Sequence, residues 1–230
     1  HLAWKILIVG DGQDPELEKY FFIDAIEGNI IRSYNAGFPG AQITGTVQGE
    51  VYPVNPTDTV TTVPLRHEYV KIEDAGTVVT NNSGNFSETV GWAWQLLNNP
   101  TGEAEFTLDG PYALVMDSDD SEYTLTRNVD TNNPCNLVWS AGDRDHINMF
   151  YHMNLFHDWL EDELGYSWVN YWDGSTRFQA KVNLSFSNAY AGSPMRFGYN
   201  DYARSSDVIY HECTHNILCK IYDDYIGWPD

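Results

Sequence analysis

The chain has 230 residues, of which 42% are hydrophobic and 14% are aromatic. This composition predicts one large or two small folded domains with a hydrophobic core, and it argues against a disordered chain. Its 12 Lys and Arg against 33 Asp and Glu give a formal net charge of −21 at pH 7. Such acidity disfavours nucleic acids and anionic lipids as partners and favours an extracellular location. In addition, no stretch of the sequence is apolar enough to span a membrane.

The first part of the chain, residues 1–36, alternates apolar stretches with turn-forming residues. The apolar stretches at residues 3–9, 19–23 and 29–33 predict a small antiparallel β meander. His1 leads directly into the first of them, with no signal peptide before it. We therefore expect a processed or truncated chain.

The middle part, residues 37–134, is rich in Thr, Val, Gly and Pro. Its short runs alternate apolar and polar residues and are separated by turn clusters, a pattern typical of β-sandwiches. The clearest alternation is Ile43, Gly45, Val47, Gly49 and Val51. We predict a β-sandwich-like domain over residues 37–134.

Residues 135–230 differ in character, since two helical patterns appear. Asp143 or Asp145 can cap a helix that ends at Gly165, and Ser205 or Ser206 can cap a second one that runs to about residue 222. The first helix has apolar residues at intervals of three and four, namely Met149, Met153, Phe156, Leu160 and Leu164. The sequence as a whole predicts an α+β fold with a C-terminal helical and β domain.

The three cysteines are Cys135, Cys213 and Cys219. Cys213 and Cys219 are six residues apart on the second predicted helix, about 9 Å along its axis, so they should not pair with each other. A disulfide between Cys135 and Cys219 is one alternative, and free buried thiols are the one that we favour.

Residues 211–215 spell H-E-x-x-H within the second predicted helix. Residues four apart share one helical face, so His211 and His215 can bind one metal ion, while Glu212 can reach a water at that metal. The motif should arise by chance only about 0.01 times in a chain of this composition. The alternative is a charged helix with two surface histidines.

On the other face of this helix, the spacing of Ile209, Cys213, Ile217 and Ile221 predicts packing against the core.

The order of motifs around H-E-x-x-H resembles the thermolysin clan of zinc metalloendopeptidases, and its fungalysin-like branch in particular. The resemblance covers about residues 146–222. Its motifs are Phe150-Tyr151, His157-Asp158, Gly165-Tyr166 and Ser187-Asn188-Ala189-Tyr190, followed by Met195 and Gly198. The N-terminal part is similar to the last strands of the propeptide domain of these proteases, and the middle part to a transthyretin-like domain.

The resemblance implies a role for individual residues. His211 and His215 would be zinc ligands, and Glu212 would be the general base that later protonates the leaving amine. Asn188 and Ala189 would pair with the backbone of an extended substrate. For His157 and Asp158 we expect a structural part, or one that supports the metal ligands.

Catalytic zinc requires a third protein ligand. In this family it is a Glu on the following helix, which would lie beyond Asp230. Asp223 and Asp224 are the acidic residues that follow most closely, but their spacing does not match. We therefore expect an incomplete site that needs a further segment of the same precursor or a partner chain.

Two hypotheses for function follow. The first is a secreted zinc endopeptidase that hydrolyses peptide bonds through a metal-activated water. The second is a non-catalytic extracellular module that assembles through its strands and uses a protease-derived domain as a scaffold.

A second metal is considered for an acidic loop that contains Asp117, Asp119, Asp120 and Glu122. These carboxylates could bind Ca²⁺, but their spacing is not that of an EF-hand. A solvated acidic loop without metal is the favoured alternative.

Overall fold

A computed structural model describes residues 3–8, 19–35, 41–90, 101–140, 142, 144–166, 177–199 and 201–225. These residues form fifteen β-strands in four sheets, two α-helices and one 3₁₀ turn. The fold is therefore mixed α+β, as the sequence predicts. Neither helix in these ranges is long and apolar enough to cross a membrane.

The strands of the first half are β1 (Ala3–Ile8), β2 (Lys19–Asp24), β3 (Ile30–Asn35), β4 (Ala41–Val51), β5 (Thr61–Pro64), β6 (Tyr69–Ile72), β7 (Gly76–Val79) and β8 (Asn85–Val90). Those of the second half are β9 (Thr101–Thr107), β10 (Ala113–Met116), β11 (Thr124–Asp130), β12 (Cys135–Trp139), β13 (Phe178–Leu184), β14 (Ala189–Tyr190) and β15 (Met195–Gly198). The helices are α1 (Arg144–Leu164) and α2 (Ser206–Tyr225), and the 3₁₀ turn is Tyr202–Arg204.

The first three strands form an antiparallel sheet of their own, in the order β1-β2-β3. The next two sheets pack against each other. In one, β4 pairs with β12, β5 and β8, and the other has the antiparallel order β11-β9-β6-β7. The rings of Phe86 on β8 and Phe106 on β9 meet edge to face, with centroids 5.8 Å apart. Contacts of this kind join the inner faces of the two sheets into one core.

The fourth sheet has the order β10-β13-β15-β14 and underlies the candidate site. Its strand β10 precedes residue 134 and pairs in parallel with β13, which follows it. Conversely, β12 follows residue 134 and pairs in parallel with β4. Strand pairings thus cross the expected domain boundary in both directions, and the division at residue 134 stays a prediction.

Helix α1 packs directly on strand β4, and Gly49 permits this close approach. A Cβ atom at Gly49 would lie 2.5 Å from Cγ2 of Ile147 on α1, so no larger residue fits without a shift. The helix ends at Gly165, whose φ of +61° favours glycine. Met149, Met153 and Leu160 of the predicted stripe are buried, but Leu164 is 60% exposed, since it lies on the last turn.

Two buried polar side chains of α1 tie that helix to its neighbours. Asn148 accepts a hydrogen bond from the backbone N–H of Tyr52 (2.9 Å) and donates one to the carbonyl of Ala203 (3.1 Å). His152 donates from Nε2 to the carbonyl of Tyr52 (3.0 Å), so its Nδ1 accepts the hydroxyl hydrogen of Tyr210 (2.8 Å). Tyr210 directly precedes the H-E-x-x-H motif, so α1 helps to fix the orientation of α2.

His157 and Asp158, for which we expect a structural part, contact residues of neighbouring segments. Arg66 and His67 donate hydrogen bonds to the Asp158 carboxylate, at 2.7 and 3.0 Å. Burial disfavours the charge of Asp158, but hydrogen bonds from His157, His67 and Arg66 together lower its pKa well below the ordinary value. The ring of His157 stacks on Tyr112, with centroids 3.7 Å apart. The carboxylate therefore joins α1 to the segment between β5 and β6.

Glu68 lies between the sheets and has no exposed surface. Trp139 Nε1 donates to its Oε1 at 3.1 Å. Burial raises the pKa of the Glu68 carboxyl well above its usual range, and the Trp139 hydrogen bond offsets only part of this effect. The folded protein therefore holds a proton on Glu68 more tightly than the unfolded chain does.

We expect Glu68→Gln to stabilise the protein more at about pH 8 than at about pH 5. In the wild type the folded state binds the extra proton, so the free energy of unfolding declines as the pH rises from the unfolded pKa toward the folded one. A neutral Gln removes this decline. Urea unfolding at both pH values measures the effect, with Glu103→Gln on an exposed position of β9 as the control. Equal effects of Glu68→Gln at both pH values would contradict a proton held on Glu68.

Candidate functional site

The N-terminus of α2 is attached to the β-rich part of the chain. Ser206 is its first residue, and both its backbone N–H and its hydroxyl donate to the carbonyl of Val54, at 2.8 and 3.1 Å. The Ser205 carbonyl accepts the N–H of Ile209 at 3.1 Å, so Ser205 occupies the N-cap position. The start of the helix is therefore fixed next to the candidate site.

One face of α2 is buried and another is open, as the spacing predicts. Ile209 and Cys213 have no exposed surface and Ile217 is 7% exposed, whereas His211 and His215 are exposed. Burial, and to a smaller extent the neighbouring Glu212, raises the pKa of the Cys213 thiol. Cys213 thus lies in the core on the buried face of α2.

All three cysteines are free thiols. Cys213 is in contact with Met195, its Sγ 3.9 Å from the Met195 Sδ. Burial also raises the pKa of Cys135 and of Cys219. The favoured alternative was buried free thiols, and the three thiols are free; Cys213 is buried, whereas Cys135 and Cys219 are only half-buried.

The two histidines of the motif converge. Nε2 of His211 and Nε2 of His215 lie 2.9 Å apart, and their ring planes are nearly perpendicular at 87°. Zinc bonds of about 2.0–2.1 Å in tetrahedral geometry separate two ligand nitrogens by about 3.3 Å. The pair therefore fits two corners of a zinc site with a shift of a few tenths of an ångström.

A third ligand is not supplied by the residues that the structure describes, since no three His, Cys, Asp or Glu side chains in those ranges group around one point. Asp223 and Asp224 belong to the last turns of α2. At 1.5 Å per residue they lie about 12 Å or more beyond His215 along the axis. The continuous helix therefore separates the backbone of both residues from His215 by about two helical turns or more.

An open pocket of about 360 Å³ lies beside the histidine pair. Glu212, which is only 8% exposed, forms part of its wall. The remaining lining residues are Asn188, Ala189, Tyr202, Asp207, Val208 and His211. The pocket thus gathers four of the five sequence-predicted site residues, and His215 adjoins it through its contact with His211.

Asn188 and Ala189 lie at the open edge of the fourth sheet, because β14 is its last described strand. The carbonyl of Asn188 accepts the N–H of Gly198 on β15 at 2.9 Å. In an antiparallel pair the next residue directs its N–H and C=O to the other side, so Ala189 presents them to the open edge. Backbone pairing with a peptide would therefore use Ala189, while Asn188 can contribute its side-chain amide.

Asn216 is a site residue that the sequence analysis missed. It is fully buried, donates from Nδ2 to the carbonyl of Gly192 (3.1 Å) and accepts the N–H of Gly192 at Oδ1 (2.9 Å). These two bonds attach the loop after β14 to the residue that follows His215. The only signal in the sequence is a polar residue beside the core positions Cys213 and Ile217.

The acidic loop considered for Ca²⁺ already has partners in the protein. Asp120 forms an ion pair with Lys181, and Asn183 donates to Oδ1 of Asp117 at 3.3 Å. Asp119 accepts the backbone N–H of Ser121 at 3.0 Å. These contacts favour the alternative of a solvated acidic loop, and the calcium site stays a prediction.

No family model matches the sequence, and no curated protein matches it. The resemblance to the thermolysin clan therefore stays a prediction that depends on the motif residues of the sequence.

Proposed function

We propose that this chain belongs to a secreted zinc-dependent endopeptidase that resembles the thermolysin clan. One observation carries the proposal. A single pocket is lined by Glu212, His211 and the edge-strand residues Asn188 and Ala189, and it adjoins two imidazole nitrogens 2.9 Å apart. Hydrolysis of an extended peptide requires a general base, a pair of histidines that can bind one metal ion, and a strand edge that can bind the peptide backbone.

His211 and His215 would hold the zinc ion, which when bound polarises a carbonyl group and makes water more acidic. Glu212 accepts the proton of the attacking water and passes it to the leaving amine. Its position in the pocket wall, largely shielded from bulk solvent, suits this role, because an attacking water and a scissile bond would meet there.

The substrate backbone would add a strand beside β14. The outward N–H and C=O of Ala189 would bind it, with the Asn188 amide as a further donor or acceptor. This mode requires an extended peptide and reads few of its side chains. It favours a peptide or protein substrate over a small molecule.

The third zinc ligand is proposed to come from residues outside the described ranges, either in the same precursor or in a partner chain. Support comes from the two convergent histidines, which leave two corners of a tetrahedral site open. The direct test is zinc-dependent cleavage of an extended peptide by the full-length protein, with Glu212→Gln as the inactive comparison. Absence of zinc binding or of cleavage would contradict the proposal.

One observation favours the alternative of an assembly module. In the β1-β2-β3 sheet, Trp4, Ile23 and Ile30 are cross-strand neighbours on one face, and Trp4 and Ile30 are 62% and 60% exposed. Exposed apolar faces of this kind occur at protein–protein contacts. Regular oligomers of a protein that binds no zinc would favour this alternative over the peptidase.

A further inference from the structure

The pocket beside the histidine pair extends beyond the residues needed for catalysis. Its lining also includes Asp207 and Val208 of the first turn of α2 and Tyr202 of the 3₁₀ turn. Asp207 precedes His211 by four residues, so it lies one turn away on the same face, about 6 Å along the axis. A substrate side chain next to the scissile bond could therefore reach it.

Tyr202, Asp207 and Val208 together can bind a long cationic side chain. Tyr202 and Val208 are half-buried and offer apolar surface, while the carboxylate of Asp207 is exposed. Arg204, the nearest arginine in the chain, is engaged with Asp145 and Asp201. Asp207 is thus an exposed carboxylate in the pocket lining, in addition to the buried Glu212.

We propose that the part of this pocket lined by Tyr202, Asp207 and Val208 is a specificity subsite that selects a Lys or Arg side chain of the substrate, with Asp207 as its determinant; the inference rests on the proposed peptidase function. The aliphatic stem of the substrate side chain packs on Tyr202 and Val208, and its charged end pairs with Asp207. The volume of about 360 Å³ lies within the range of ligand pockets.

The test uses the full-length, zinc-loaded protein and extended peptides that differ at one position next to the scissile bond. Arg, Lys, Met and Glu are placed in turn at each of the two flanking positions. We expect kcat/KM to be about 3-fold higher for Arg and Lys than for Met at one of them. Higher salt should reduce this preference, because the Asp207 carboxylate is exposed.

Asp207→Asn should abolish the preference, so that kcat/KM for the Arg and Lys peptides falls to the value for the Met peptide measured with the same variant. Asp207→Lys should shift the preference to the Glu peptide. Asp162→Asn makes the same chemical change at an exposed position of α1 outside the pocket and should have no effect. A basic preference that is missing, or that survives Asp207→Asn, overturns the inference and leaves the peptidase function intact.

Measurements of peptide binding test the subsite independently of the catalytic reaction. The same peptides are titrated against the Glu212→Gln variant, and their dissociation constants should show the same dependence on Asp207. If the wild type cleaves no peptide, the proposed function fails, and the binding series then decides the subsite alone. Equal affinity for the Arg and Met peptides would overturn the subsite.

Discussion

Replacement of Glu212 by Gln is expected to lower kcat for peptide hydrolysis about 100-fold or more, with zinc still bound. Gln keeps the size of the side chain but cannot accept the proton of the attacking water. Because Glu212 lies in the pocket wall and is only 8% exposed, bulk solvent should not easily replace it as a base. Steady-state kinetics together with zinc analysis of the same preparation measure both quantities.

Glu161→Gln is a matched control for this experiment, since it makes the same change at an exposed position of α1. It should leave both the rate and the zinc content as in the wild type. An undiminished rate in Glu212→Gln would remove Glu212 from the mechanism. Loss of zinc along with activity would assign Glu212 to metal binding rather than to proton transfer.

His211→Ala and His215→Ala are each expected to weaken zinc binding by at least about 100-fold in the full-length protein. Each change removes one of two nitrogens that lie 2.9 Å apart, and no third group from the described residues can replace it. Competition with a chromophoric zinc chelator measures the affinity.

Thr214→Ala is the control for the histidine variants, because Thr214 is exposed on the same helix between the two ligands. Its hydroxyl donates to the carbonyl of Tyr210 at 2.7 Å, so its removal should affect the helix only locally. Wild-type zinc affinity in either histidine variant would show that the pair is not the metal site.

The helices and the histidine pair are predictable from the sequence because their signals are local. A period of 3.6 residues identifies both helices, Gly165 marks the end of α1, and a spacing of four places His211 and His215 on one face. Leu164 shows the limit of such patterns. It continues the apolar spacing, but it lies on the last turn, where little of the core remains to cover it.

The residues around His211 and His215 are not predictable from local sequence patterns. Residues 188–189 reach the pocket through the hydrogen bonds between Gly192 and Asn216, which are 24 positions apart. Tyr202 and Asp207 line it because the 3₁₀ turn and the start of α2 meet the edge strand there. No local periodicity reports such contacts.

The order of the strands in the sheets is also not predictable from local sequence patterns. The apolar run of β10 does not specify a partner strand, and the sequence analysis did not predict β12; both strands pair in parallel with distant segments. Parallel pairing needs long connections, so the β-sandwich pattern of residues 37–134 did not reveal that β10 joins the sheet under the candidate site. This is why the domain division in the sequence analysis and the strand pairings differ.

X-ray absorption at the zinc edge tests the claim that His211 and His215 hold one zinc ion. In the full-length wild-type protein loaded with one equivalent of zinc, we predict two imidazole nitrogens at about 2.0–2.1 Å from the metal. In His215→Ala at least one of them should be lost. A shell without imidazole, or an unchanged spectrum in His215→Ala, would contradict the claim.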